Sequence, residues 1–250
     1  MNIILAGTIN ETQKIISKKK NLIVLFLILS IVLISAIINI VSNNFLGANV
    51  INSAKLPITV LDFTMALVIP IFIFMITSDL FANEISNSTI IISLVRPVSR
   101  FKVYITKLIS VSVFIITILA SMFISSFIVS MFSGKISEVF GELLINLYTY
   151  IAAILPLIML ITITAFIAQF LKSSSGTVVF MVIGFLLLPV ISALVPEFSV
   201  ILPTSYIDWY QNFSYSSINV YTITNEFMFI VGYVIIFLSL GVYLFERKDI

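Results

Sequence analysis

The sequence predicts an all-α, polytopic membrane protein with six transmembrane helices, an N-terminal interfacial helix and both termini in the cytoplasm. Three observations predict it. Of 250 residues, 60% are hydrophobic and only 10% are charged, where a soluble domain would carry about a quarter charged residues. Six apolar runs are long enough to cross a bilayer core of about 30 Å, which takes about 20 residues of helix. The basic residues fall almost entirely on one side of those runs. Helices are the form expected, because backbone groups in lipid must find their partners within the segment.

The chain reads as one membrane domain, 1–250, with no soluble domain, linker or repeat. In 1–20, Leu5, Ile9, Thr12 and Ile16 share one helical face, while Gly7, Glu11, Lys14 and Lys18 share the other. That pattern suits a short helix lying in the membrane interface; a frayed tail with a chance pattern is the alternative. The spans are expected near 21–41, 59–81, 104–132, 147–171, 177–195 and 227–245. Lys18, Lys19 and Lys20 before the first run suggest a secretory signal, but the run is too long for one and no small-x-small cleavage site follows. Pro70, Pro156 and Pro189 fall inside spans two, four and five, where a static bend is expected. Span three carries Ser110, Thr117, Ser121 and Ser125 on one face and Ser112, Ser126 and Ser130 nearly opposite, small residues that let helices approach closely.

Two loops stand out. The loop 82–103 is the most basic, and its run from Thr89 to Val95 is expected to form a short helix stopped at Pro97. Ser99 can then cap the next helix. The loop 196–225 holds Phe198, Tyr206, Trp209, Tyr210, Phe213, Tyr215 and Tyr221, including the single Trp of the chain. An aromatic belt at headgroup level and one or two short helices dipping back into the outer leaflet both fit it.

Orientation follows from charge. With the N-terminus inside, the cytoplasmic side holds Lys14, Lys18, Lys19, Lys20, Arg96, Arg100, Lys102, Lys107, Lys172, Arg247 and Lys248. The outside holds only Lys55 and Lys135 of the 13 basic residues. This bias puts both termini inside and makes the span count even.

Chemistry is sparse. There is no Cys and no His, so thiol nucleophiles, imidazole bases and the usual zinc ligands are missing; no cofactor or metal is expected, and no enzymatic activity of the chain's own. An intramembrane hydrolase would lack its water-activating parts. The pair Gly134-Lys135 is followed by Ile136, and Val129 stands where the first glycine of a phosphate-binding loop belongs, so ATP would have to act through another chain. Intramembrane carboxylates are candidates by default. Asp62 is a candidate for contact with substrate, and Asp79 and Glu84 for organising the cytoplasmic end.

The stretch Glu84-Ile-Ser-Asn-Ser-Thr89, then Leu94-Val-Arg-Pro-Val-Ser-Arg100, then Lys107, resembles the cytoplasmic loop of ABC-2 type transporter permeases. The ending Phe245-Glu-Arg-Lys-Asp-Ile250 resembles that family's basic tail. Ser88 stands where the family usually has Gly, a departure that bears on the local turn. Six spans, an interfacial first helix and a long outer loop extend the resemblance over the whole chain.

The resemblance implies the transmembrane permease subunit of an ATP-driven ABC exporter in the plasma membrane of a bacterial cell. Its partners would be a separate ABC ATPase subunit and a second permease half, identical or not, with no nucleic acid. Glu84, Thr89, Arg96, Pro97, Arg100 and Lys107 would form the ATPase-coupling loop. An amphiphilic or hydrophobic substrate, such as a peptide antibiotic, is expected, because the span centres lack charges for an ion; Asp62, Tyr206, Trp209 and Tyr210 are the expected substrate path. The competing reading is a six-span substrate-binding or channel protein that no ABC ATPase drives.

Overall fold

Apolar runs bounded by polar corners set the elements. The computed structural model describes residues 3–45, 52–86, 99–171, 173–214 and 219–247. Helix α1 is Ile3–Ser17 and α2 is Lys19–Phe45. A short 3-10 turn, Ser53–Lys55, leads into α3, Leu56–Phe63. A π turn, Thr64–Val68, joins α3 to α4, Ile69–Ser86. Then come α5 (Arg100–Ser133), α6 (Ile136–Gly141), α7 (Leu143–Ile167) and α8 (Ser174–Leu194). Two 3-10 helices, Pro196–Val200 and Pro203–Phe213, precede α9, Val220–Arg247. No strand occurs among the described residues. Six helices are long and apolar enough to cross a membrane: α2, α3 with α4, α5, α7, α8 and α9. The chain is a multi-pass membrane protein.

Several boundaries depart from the sequence expectation. Span two starts at Ser53 rather than near 59, because Pro57 sits in the first turn of α3, where its missing N–H costs nothing. Span four is helical from Leu143 and stops at Ile167 instead of reaching 171, with Gln169 and Phe170 closing single turns back to Phe166 and Ile167. Ser173 then opens α8, its hydroxyl accepting from the Gly176 N–H at 3.1 Å. Ser99 occupies the corresponding place before α5 in extended backbone, but its hydroxyl makes no capping bond, contrary to expectation. Most of the expected helix and stop in 82–103, with Thr89, Arg96 and Pro97, lies outside the described residues.

Pro70 explains the π turn. A proline removes one backbone donor and crowds the carbonyl four residues back; the wider turn ahead of Pro70 absorbs that, with the Ile69 N–H bonding to the Thr64 carbonyl. Thr64, fully buried, bonds its hydroxyl to the Val60 carbonyl at 2.8 Å.

The core is built on α4 and α7. On α4, Phe72, Ile73, Phe74, Ile76, Leu80, Phe81 and Ala82 are all buried, as are Thr77, Ser78, Asp79 and Glu84 toward its end, so this helix is enclosed by its neighbours. By contrast α2, α8 and α9 expose Ile23, Phe26, Val179, Leu187, Met228 and Ile235, as helices bounded by lipid do. The serines of α5 satisfy themselves: Ser110, Ser112 and Ser126 donate to the carbonyls of Thr106, Leu108 and Met122 at 2.7, 3.0 and 2.7 Å. Gly241 shows how close helices come, since a Cβ there would run into the Tyr104 hydroxyl.

Candidate functional site

At the basic end, a corner positions the charges. Asn21, buried, donates to the Ile15 carbonyl at 2.6 Å and fixes the break between α1 and α2. Helix α1 then lies across α5. Gly7 permits the approach, for a Cβ there would meet the Thr106 methyl at 2.8 Å, and Ser110 donates to the Thr8 carbonyl at 3.3 Å. The face of Gly7 and Glu11 is therefore turned to protein rather than to water, while Leu5, Ile9 and Ile16 are left exposed. That arrangement fits an interfacial helix whose apolar face meets lipid and whose charges meet partners within the bundle.

Those partners are carboxylates of span two. Lys107, with no exposed surface, donates to Glu84 Oε2 at 2.6 Å and stands 3.7 Å from Glu11. Lys14 pairs with the other oxygen of Glu84. Nearby, Asp79 pairs with Lys18 at 3.5 Å and with Lys20, and accepts from the Ser174 hydroxyl at 2.8 Å. Ser174 and Ser78 are also 3.1 Å apart. Burying an ion is costly unless it is paired and hydrogen-bonded, and both Glu84 and Asp79 meet that condition. Two knots of charge thus bind α1, the start of α2, α4, α5 and α8 together. Burial alone would lower the pKa of Lys14, but the hydrogen bond and charge of Glu84, with the charge of Glu11, raise it above the ordinary lysine value.

Of the expected coupling residues, the structure brings Glu84 and Lys107 into direct contact. Arg100 lies apart from that pair and donates to the Glu246 carbonyl at 3.0 Å, tying the start of α5 to the end of α9. Sequence reasoning missed the roles of Glu11, Lys14, Lys18 and Lys20. Their signal was present: unpaired carboxylates at a span end need cations, and a Gly7–Glu11–Lys14–Lys18 face offers them.

The opposite, aromatic end is also tied by polar groups. Asp62 Oδ1 accepts from the Tyr210 hydroxyl at 2.9 Å and from Gln211 Nε2 at 3.3 Å. Burial and the neighbouring Asp62 carboxylate push the Tyr210 phenol well above its ordinary pKa, so it stays a donor. Trp209 Nε1 donates to the Ile223 carbonyl at 3.2 Å, and Asn212 donates to Glu226 at 2.8 Å. Tyr150 reaches the Pro57 carbonyl at 2.9 Å and Asn146 the Ala54 carbonyl at 3.0 Å, pinning the start of span two to α7.

The four residues expected along a substrate path are brought together here, but as a closed cap. Tyr206, Trp209 and Tyr210 are only 6%, 8% and 0% exposed, and Phe229, Phe213 and Phe227 cover the rings of Tyr206 and Trp209. The two short helices expected in this loop are present. The belt of exposed rings is not built from these three residues; among the described residues of this loop, Phe198 and Tyr221 are the aromatics left exposed.

A family model described as a protein of unknown function (DUF2705) matches residues 47–250. No curated protein matches the chain. The matched stretch includes Asp62, Asp79, Glu84 and Lys107 and leaves out α1.

Proposed function

The chain belongs to the DUF2705 family, and for this member we propose the role of transmembrane permease subunit of an ATP-driven exporter of the ABC-2 type. The ATPase is a separate chain, and a second permease half completes the unit. The observation that carries this reading is the Lys107–Glu84–Lys14 assembly, in which Lys107 and Glu84 are buried. It joins two of the six residues that the resemblance assigns to coupling, and it fastens α1 to spans two and three. A displacement imposed on α1 or on the adjoining loop is passed through paired charges to α4, a helix packed on every side. The π turn ahead of Pro70 gives span two a place to bend between that end and the Asp62 cap.

The cargo is an amphiphilic or hydrophobic molecule, such as a peptide antibiotic, moved out across the plasma membrane of a bacterial cell. An inorganic ion stripped of water needs charges or a ring of ligands along its path. Asp79 and Glu84 are occupied by lysines, and Asp62 by Tyr210 and Gln211. The polar groups at the span centres are mostly serine and threonine hydroxyls, many of them bonded back to their own helix.

The test is affinity purification of the full chain from its native membranes under mild detergent, followed by identification of the chains that accompany it. An ATPase carrying a phosphate-binding loop should co-purify in stoichiometric amount. Recovery of the chain by itself, under conditions that keep other membrane complexes whole, overturns the exporter reading in favour of a binding or channel protein.

A further inference from the structure

Between α4 and α8 at the basic end lies an open cleft of about 560 Å³. Its lining divides in two. Lys20, Asp79, Ser174 and Ser175 form a polar rim, while Val178 and Val179 continue from it along α8 as an apolar wall. Val179 is 57% exposed on the face that this peripheral span turns to lipid.

The charges do not balance once Lys18, which stands beside the rim on Asp79, is counted with Lys20. Lys18 and Lys20 share one carboxylate, Asp79, whose other oxygen is held by the Ser174 hydroxyl. Two cations against one anion leave one positive charge in surplus at a boundary where little water screens it. Helix α8, 21 residues long, begins in the same rim, so its first turn adds donors and the positive end of its dipole. A group of one negative charge completes this arrangement, and the apolar wall beside it suits a hydrocarbon chain.

We propose that this cleft is a binding site for an anionic phospholipid. The phosphodiester sits against Lys20 and the Ser175 hydroxyl, and an acyl chain runs along Val178 and Val179. A free phosphate would meet the rim but leave the wall uncovered. The site stands whether or not an ATPase drives the protein.

Native mass spectrometry of the full chain in detergent, titrated with phosphatidylglycerol or with diacylglycerol of the same acyl chains, tests it. Phosphatidylglycerol should be retained about fivefold better, the equivalent of one lysine's attraction to an anionic lipid. Val179→Trp and Ser175→Tyr, which fill the cleft from exposed positions, should each abolish that preference. Leu187→Trp, at an exposed position two turns further along the same helix, should leave it intact. Lys20→Gln should reduce it. Equal retention of the two lipids, or the same loss from Leu187→Trp as from Val179→Trp, overturns the site. Displacement of phosphatidylglycerol by millimolar inorganic phosphate overturns the lipid assignment and leaves an anion site.

Discussion

Lys107 has no exposed surface, and its ammonium faces Glu84 at 2.6 Å and Glu11 at 3.7 Å. Replacing one member of such a pair strands the other charge. Lys107→Met should therefore destabilise the protein by about 3 kcal/mol, near the lower end for breaking a buried ion pair, because Lys14 remains on Glu84. Glu84→Gln with Lys107→Met should recover most of that loss, and thermal unfolding of the wild type and both variants in detergent measures both effects. Lys14 sets the pH range. Its folded pKa lies above the unfolded one, so its contribution is complete at neutral pH and disappears only as pH climbs past the folded value. One turn away on α5, a different contact is equally tight. A Cβ on Gly241 would run into the Tyr104 hydroxyl and lie 2.9 Å from its Cζ. Gly241→Ala should cost about 1–3 kcal/mol by overpacking, and Tyr104→Phe in the same chain should return part of it. A full melting midpoint in Gly241→Ala alone would show that span six is not seated as described.

The 3-10 helix Pro203–Phe213 is held by few bonds, and Asp62 accepts two of them. Asp62→Ala should leave the buried Tyr210 hydroxyl without its acceptor, at a cost of about 1–3 kcal/mol, and loosen this element from span two. Trp209 is the single tryptophan, so its emission reports the change without labelling. The emission should shift to longer wavelength and become more accessible to iodide in Asp62→Ala, whereas Asp62→Asn, which keeps an acceptor oxygen, should match the wild type. Unchanged emission in Asp62→Ala would mean that the cap is held by ring packing alone. This element also marks where the sequence was readable. The spans were legible because lipid demands about 20 apolar residues in a row, and short helices in the outer loop were suggested by its length, its apolar residues and its lack of Lys and Arg. The direction of Tyr206, Trp209 and Tyr210 was not legible, since a ring suits a headgroup belt and a buried cap alike until its neighbours are known. Glu84 with Lys107 was found through a motif, but Lys14 lies 70 residues from its partner Glu84. Its positive charge was already explained by topology, and no local pattern demanded a second role.

Across the whole molecule, charge and burial divide along the membrane normal. One end gathers the lysines into paired knots around Asp79 and Glu84; the other closes over Asp62 with aromatic rings and neutral donors. Between them run helices whose exposed residues are apolar, so the protein is a bundle solvated by lipid at its waist and ordered by ion pairs at one end. Every link from this chain to an ATP-driven partner requires the lysine-rich end to face the cytoplasm, where ATP is. Because the chain has no cysteine, single thiols can be placed at will. Ser214→Cys marks the aromatic end and Glu246→Cys the lysine-rich end. Treated on intact cells with a membrane-impermeant thiol reagent, Ser214→Cys should be labelled and Glu246→Cys should react only after the cells are opened. Labelling of Glu246→Cys on intact cells, with Ser214→Cys protected, would place the coupling end outside and contradict the account.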